Sequence, residues 1–231
     1  MFGKRLYHPS ALVSGLALAG LLFGTGARRA AAAEVPTSLR EYRQGIVVTA
    51  SADECAPTGN TQHHCRSVNV EVFDGTERSS AHAPFRGTRV CLSLVTYTTG
   101  AGRSAGYDEE QGCASLPVGT LQVAPQLARV RLPATSLTLE QVRCTPVGGD
   151  EAVCEVFGRR QATIGGTWTA TSRLISSRSH THAHTGTCVE TREERERRRE
   201  TTAQLTLDGQ AQPAQSSSVA HVFSRFIRQC R

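Results

Sequence analysis

Residues 162–174 carry the strongest indication of the fold, and they read Ala-Thr-Ile-Gly-Gly-Thr-Trp-Thr-Ala-Thr-Ser-Arg-Leu. The stretch holds the only tryptophan of the 231-residue chain, Trp168, among threonines and small residues. Aromatic and β-branched residues at this density are typical of a strand in a pleated sheet. We predict that Trp168 lies in an all-β core and that the threonines beside it face the other way. The preceding Gly165 and Gly166 predict a bulge or a close strand approach.

Short segments with alternating apolar residues recur along the rest of the chain. Residues 67–73 and 89–97 place valine or leucine at every second position, and Asp-Gly turns follow at 74–75 and 208–209. This rhythm predicts a sandwich or a barrel. We expect an all-β fold, an antiparallel β-sandwich of Ig-like or jelly-roll-like type, as a single domain over residues 45–231.

Two segments near the C-terminus fit more than one secondary structure. Residues 218–228 match the i, i+3, i+4, i+7 helix pattern, but the surrounding strands favour a strand. Residues 191–200 (Thr-Arg-Glu-Glu-Arg-Glu-Arg-Arg-Arg-Glu) have helical i,i+4 Glu–Arg spacing, yet strand-like residues flank them. Together with Glu190 this run holds five arginines and five glutamates. We therefore predict a solvated edge or hairpin rather than a basic patch.

The first 33 residues have the order of a secretory signal peptide. Basic residues precede a short apolar run at 11–24, and Ala31-Ala32-Ala33 precedes Glu34. The run is short for the roughly 20 residues of a membrane-spanning helix. Two arginines at 28–29 leave an uncleaved anchor as the alternative. We predict cleavage after Ala33, a linker at 34–44, a secreted or extracytoplasmic location and no membrane span in the mature chain.

The charge of the mature chain is close to neutral. Residues 1–33 contain Lys4, Arg5, Arg28 and Arg29 and no acid, so the 26 basic residues fall to 22 against 20 acidic ones. Near-neutrality is not the electrostatic footprint of a nucleic-acid-binding protein. Only 5% of residues are aromatic, so stacking platforms for sugars or single strands are few. We predict a monomer with no nucleic-acid partner.

All eight cysteines lie after the signal peptide. An even number of cysteines in an exported chain indicates disulfide bonds, although 105 pairings are open in principle. No C-x-x-C pair occurs, which disfavours a zinc site, and pairing removes cysteine as a nucleophile. The simplest prediction is sequential pairing: Cys55–Cys65, Cys91–Cys113, Cys144–Cys154 and Cys188–Cys230.

Four pieces of the chain occur in an order known from other proteins. They are Ser-Val-Asn-Val-Glu-Val-Phe (67–73), Leu-Ser-Leu-Val-Thr-Tyr (92–97), Gly-Thr-Trp-Thr-Ala-Thr (166–171) and Gly-Thr-Cys-Val (186–189). The chain resembles uncharacterised exported bacterial proteins of β-sandwich type that have a Trp-Thr-x-Thr strand. The resemblance implies a β-sandwich and export for most of the chain, and it implies no activity and no site.

Three histidines form the one candidate metal site. His180, His182 and His184 alternate, so on a strand their imidazoles share a face at a spacing of about 6.6–7 Å. Imidazole nitrogens bind Zn²⁺, Cu²⁺ or Ni²⁺, and a carboxylate such as that of Glu190 would complete a common type of site. The alternative is a polar loop whose histidines face water.

Sequence motifs of catalysis are missing. The chain has no G-x-S-x-G, H-E-x-x-H, P-loop or G-x-G-x-x-G pattern, and the acids at 108–110 read as solvated loop residues. We therefore predict no catalytic or cofactor-binding residue and no cofactor. We expect an exported protein that binds an extracellular or cell-envelope ligand or has a structural role. The alternative is a metal-dependent or hydrolytic secreted enzyme built around the three histidines.

Overall fold

A computed structural model of the chain describes residues 5–7, 38–58, 62–80, 83–100, 106–148 and 151–230. These residues form strands and one short 3-10 turn at Pro125–Leu127. The strands are β1 (Arg5–Tyr7), β2 (Ser38–Pro57), β3 (Gln62–Ser79), β4 (Phe85–Gly100), β5 (Tyr107–Leu116), β6 (Gln122–Val123), β7 (Arg129–Gly148), β8 (Glu151–Ala170), β9 (Ile175–Thr185), β10 (Cys188–Leu207), β11 (Gln210–Pro213) and β12 (Ser216–Cys230).

Trp168 lies in β8 and is fully buried, as the sequence predicts. Its Nε1 donates a hydrogen bond to the carbonyl oxygen of Thr49 in β2, 3.1 Å away. Gly166 lies against the indole: a Cβ there would stand 3.0 Å from the ring, so a larger residue would force Trp168 or Leu205 to shift. The predicted bulge is found in the neighbouring strand β7, where the register shifts opposite Gly165.

Eight of the strands form one closed antiparallel sheet. In the order β2, β3, β4, β5, β7, β8, β10 and β12, each strand pairs with the next, and β12 pairs with β2. The predicted all-β antiparallel class is confirmed. The predicted Ig-like or jelly-roll sandwich arrangement is not confirmed, because the described strands are connected through pairing into one sheet. Alternation shows which side chains face inward, but it does not show which strand is the neighbour.

Apolar side chains at every second position fill the inside of the closed sheet. Burial of each valine, leucine or isoleucine stabilises the fold by roughly 1.5–3 kcal/mol relative to exposure. The residues with no exposed surface come from six of the eight strands. They are Val48, Val72, Val90, Val130, Leu139, Ile164, Trp168 and Val219, together with the polar Thr88.

The four predicted disulfide bonds are confirmed: Cys55–Cys65, Cys91–Cys113, Cys144–Cys154 and Cys188–Cys230. In each bond the two cysteines lie directly opposite each other on neighbouring strands. Each strand of the closed sheet carries one cysteine, so the bonds tie β2 to β3, β4 to β5, β7 to β8 and β10 to β12. Four disulfides are consistent with an extracytoplasmic protein.

One end of the sheet, which includes the whole β10–β12 pairing, forms an arm. Beyond β8 the chain continues as β9, which is joined to β10 through a turn where Gly186 has a φ of 62°. Residues 188–198 of β10 pair with β9 on one side, and residues 188–200 pair with β12 on the other. We call the following segments the arm: β9, residues 188–200 of β10, 218–230 of β12, 38–48 of β2, 74–79 of β3 and 85–88 of β4.

The structure of the arm tests three predictions that were made from the sequence. Residues 218–228 are strand, as the context favoured, and residues 191–200 are strand as well. The latter lie in the β9–β10 hairpin, which was one of the two predicted alternatives, and they do not form an edge, because β12 pairs along their other side. The predicted linker 34–44 is corrected in part: β2 begins at Ser38 and pairs with β12 from Ser38 onward. Residues 38–44 are mostly polar, so their sequence does not indicate a strand. They form a strand because they pair with β12.

The predicted signal peptide falls mainly outside the described residues, as do its apolar run at 11–24 and the cut after Ala33. Residues Arg5–Tyr7 pair as β1 with residues 152–154 of β8. Within the described ranges, no helix has the length and apolar character needed to cross a membrane.

Candidate functional site

Strand alternation divides the charged run of β10 between two faces of the arm. Arg199 lies opposite Val219, which is buried inside the closed sheet. We call the face that continues this inside surface the inner face and the other the outer face. Of the ten charged residues from Glu190 to Glu200, the inner face receives three arginines and one glutamate. The outer face receives four glutamates and two arginines. The run as a whole has no net charge, but its inner-face residues are net positive and its outer-face residues are net negative.

The strands beside β10 extend this separation. The registers of β9, β12, β2, β3 and β4 are continuous through the arm, so the residues of each face follow directly. Two carboxylates, Glu193 and Asp74, lie on the inner face. The arginines on the inner face are Arg40, Arg78, Arg86, Arg178, Arg195, Arg197, Arg199 and Arg225.

The outer face has the opposite balance. Its acids are Glu41, Glu77, Glu190, Glu194, Glu196 and Glu200. Its arginines are Arg43, Arg192, Arg198 and Arg228. Several of these charges neutralise each other in pairs, such as Arg228–Glu190 at 3.4 Å and Arg43–Glu77 at 3.0 Å. The outer face therefore has more acids than arginines, whereas the inner face has more arginines than acids. Anions are attracted to the inner face for this reason.

Most arginines of the inner face have no acidic partner. Glu193 binds Arg195 at 2.6 Å and Arg178 at 3.5 Å, and hydrogen bonding from Arg195 holds the pKa of Glu193 below its ordinary value. Arg199 donates to the carbonyl oxygen of Ser172. Among the described residues, no carboxylate lies within 4.0 Å of the other inner-face arginines. These are Arg40, Arg78, Arg86, Arg197 and Arg225.

Three of these free arginines surround Tyr42 near the end of the arm. On the two neighbouring strands, Arg225 and Arg78 lie directly opposite Tyr42. Arg40 lies on the same face of β2, two residues away. An open pocket of about 470 Å³ is lined by Tyr42 and by all three arginines, and its other lining residues are Glu41, Thr76, Phe226 and Ile227.

Aromatic rings hold the inner face in place. Tyr42 meets Phe223 of β12 edge to face, with ring centroids 5.7 Å apart, and its hydroxyl donates to the side-chain oxygen of Gln44. The guanidinium of Arg195 lies 5.5 Å from the centroid of the Phe223 ring. The guanidinium of Arg195 therefore has an aromatic ring beneath it, which lowers the entropy that this side chain loses when it binds an anion.

The three predicted histidines share the inner face of β9, as alternation requires. His180, His182 and His184 lie opposite Glu193, Thr191 and Val189. The rings of His182 and His184 are 5.3 Å apart, and Nδ1 of His182 is 3.2 Å from the hydroxyl of Thr191. All three side chains are exposed.

The carboxylate suggested for a metal site points elsewhere. Glu190 lies on the outer face, opposite Ala183, and pairs with Arg228. The acid facing the histidines is Glu193, which two arginines hold. In the described part of the chain, no group of three or more His, Cys, Asp or Glu residues is arranged to hold a metal. Metal binding by the three histidines stays a prediction.

The acids at 108–110 lie in β5 rather than in a loop. Asp108 pairs with Arg143 at 2.9 Å, and Glu110 with Arg160 at 2.6 Å. Burial alone would raise the pKa of Glu110, but hydrogen bonds from Arg160 and Gln141 bring it below its ordinary value. Burial raises the pKa of Glu109. The ion pairs make Asp108 and Glu110 structural residues.

Arg160 joins Glu110 to the turn after β10. It binds Asp208 at 2.8 Å, and Asp208 also accepts a hydrogen bond from the backbone N–H of Thr163. That backbone bond, together with Arg160, lowers the pKa of Asp208. Because Arg160 bridges two carboxylates, this cluster stabilises one end of the closed sheet.

Sequence reasoning missed the arginines around Tyr42 because they come from three separate segments. One signal was present in the sequence: counting odd and even positions of 190–200 separately reveals the charge difference. The partners of that face on β2, β3 and β12 require the register.

The fold and site together define a disulfide-stapled all-β protein with a basic inner face. Comparisons of the chain with protein-family models, curated proteins and solved structures gave no match.

Proposed function

We propose that this is an exported, non-catalytic binding protein whose ligand is an anionic polysaccharide held on the inner face of the arm. The observation that carries the proposal is the separation of charge: eight arginines and two carboxylates lie on one face. The mature chain is nearly neutral, so this attraction is local rather than a property of the whole molecule.

Guanidinium groups suit such a ligand. Arginine binds carboxylate, phosphate and sulfate groups with two parallel hydrogen bonds. Side chains two apart on a strand are about 7 Å apart, and neighbouring strands are about 4.8 Å apart. The inner face therefore offers repeated contacts to a polymer that carries one negative charge on every sugar or on every second sugar. This mode of binding needs no aromatic stacking platform, which agrees with the low aromatic content.

We propose a polymer rather than a bilayer as the ligand, because the inner face continues the inside surface of the closed sheet and includes the open pocket around Tyr42. The eight cysteines, all paired, support an extracellular or cell-envelope setting for this polymer. Export through the predicted signal peptide is part of the proposal.

Affinity measurements with defined polymers test the proposal. We expect the purified protein to bind polygalacturonate but not neutral dextran, with an affinity that falls steeply as salt rises from 50 to 300 mM. A 20-base-pair DNA duplex and phosphatidylglycerol vesicles are the comparison ligands. Equal binding of dextran, or tighter binding of either comparison ligand, would overturn the proposal.

A further inference from the structure

Within the inner face, the pocket around Tyr42 differs from the rest of the arm. Elsewhere the arginines follow one another along a strand, whereas here they approach one point from three strands. Arg78 and Arg225 flank Tyr42 on β3 and β12, and Arg40 lies on β2 itself. Two strand spacings, about 10 Å, separate the backbones of Arg78 and Arg225. Two extended arginine side chains can therefore meet over the tyrosine ring.

The surroundings leave these guanidiniums free to act on a ligand. None of the three has a carboxylate within 4.0 Å among the described residues. The neighbouring acid of β3, Glu77, lies on the outer face and is held by Arg43 at 3.0 Å and Arg89 at 3.1 Å. Glu41 lines the pocket but forms no ion pair with the three arginines. Three arginines and one glutamate leave the lining with a net charge of +2, which an anion of two charges would neutralise.

We infer that this pocket binds a phosphomonoester group. A phosphomonoester carries close to two negative charges near pH 7 and presents three oxygens, which matches three guanidinium forks. The pocket, at about 470 Å³, falls in the range of small-molecule sites, so it has room for a sugar next to the phosphate. Thr76 and Ile227, which line the pocket, offer a hydroxyl group and an apolar wall to that sugar.

The inference rests on the proposed function, because it names the end group that an anionic glycan presents to the arm. The phosphate can belong to a sugar phosphate or to a lipid headgroup, and both share this chemistry. The two sources differ in their probes: glucose 6-phosphate represents the first, and vesicles containing phosphatidic acid represent the second.

Calorimetric titrations of the full-length mature protein test the pocket. We expect glucose 6-phosphate to bind at least tenfold more tightly than glucuronate, which carries one negative charge on a similar sugar. Arg78→Gln and Arg225→Gln should each weaken glucose 6-phosphate binding about tenfold. Arg197→Gln removes a charge from the same face outside the pocket, and it should change the affinity by less than twofold. Phosphatidic acid vesicles should compete with glucose 6-phosphate only if a lipid headgroup is the source.

Equal affinities for glucose 6-phosphate and glucuronate would overturn the inference, as would an equal loss in Arg197→Gln. If the wild type binds polygalacturonate but either of these two results is obtained, the inference about the pocket fails and the proposed function stands. If the wild type binds glucose 6-phosphate selectively but no polymer, the pocket stands and the proposed function fails. Thermal unfolding of each variant confirms that a lost affinity is not a lost fold.

Discussion

Trp168 donates its indole N–H to the backbone carbonyl of Thr49, although their strands, β8 and β2, do not pair. The bond crosses the inside of the closed sheet and links strands that are three positions apart. The central aromatic residue therefore fixes the sheet as a closed structure as well as filling its core.

Trp168→Ala should destabilise the protein by roughly 3–5 kcal/mol, because it opens a cavity in a fully packed interior. Trp168→Phe should cost less, since most of the apolar volume remains and one hydrogen bond, about 1 kcal/mol, is lost. Urea unfolding curves measure both. The control is Val156→Ala, at a side chain 59% exposed, which should change stability by no more than about 0.5 kcal/mol. A loss below 1 kcal/mol in Trp168→Ala would contradict this role of the tryptophan.

Removal of the Cys188–Cys230 bond should be more costly than removal of the Cys55–Cys65 bond. The first closes a loop with a sequence separation of 42 and the second one of 10, so loop entropy predicts about 4 and about 3 kcal/mol. Paired cysteine-to-alanine variants and urea unfolding measure the difference. The first variant should also speed hydrogen exchange in β9 and β10. Equal exchange in the two variants would show that the bond does not hold the arm.

The bridge from Arg160 to Glu110 and Asp208 predicts a dependence of stability on pH. In the fold the pKa of each carboxyl group is lowered. The bridge therefore contributes stability at neutral pH, and this contribution is lost as the pH falls through the lowered values. Arg160→Gln should be destabilised at pH 7, and its difference from wild type should shrink as the pH falls below the ordinary carboxyl range of about 4. A difference that stays constant over this range would contradict the role of the bridge.

The matched control for that measurement is Arg159→Gln. Arg159 pairs with Glu140 at 2.6 Å, but its side chain is 68% exposed. Surface pairs of this kind contribute at most about 1 kcal/mol. A loss of stability at pH 7 as large as that of Arg160→Gln would show that the bridge contributes no more than an exposed ion pair.

The hypothesis of a metal site at His180, His182 and His184 predicts saturable heat when zinc is added at micromolar concentration. His182 and His184 should contribute most, because their rings are 5.3 Å apart. His182→Ala should abolish the heat, whereas His221→Ala, on the same face but on β12, should retain it. No heat with the wild type would end the hypothesis.

The sequence was sufficient where a local pattern determines the structure. The alternation around Val70 and Leu92 and the lone Trp168 identified an all-β core. The cysteine order predicted all four bonds because three of them join consecutive strands and the fourth joins β10 to β12, which are separated only by the short strand β11. Each of these inferences needs only neighbours along the chain.

The sequence was insufficient where pairing between distant strands decides the outcome. Residues 38–44 are strand because β12, about 180 to 190 residues later, pairs with them. The basic face depends on placing Arg40, Arg78 and Arg225 side by side, and none of their local patterns indicates this. A sum of charges over 190–200 also hides the separation, because the two-residue period of a strand divides neighbours between opposite faces.

The most direct test of the account compares two adjacent arginines of β10. Arg197 lies on the inner face and Arg198 on the outer face. Both are exposed and neither has a carboxylate within 4.0 Å among the described residues. Arg197→Glu and Arg198→Glu change the net charge equally, so their affinities for polygalacturonate at 100 mM salt isolate the face. We predict a loss of about tenfold for Arg197→Glu and of less than twofold for Arg198→Glu. Equal losses in the two variants would contradict binding on the inner face.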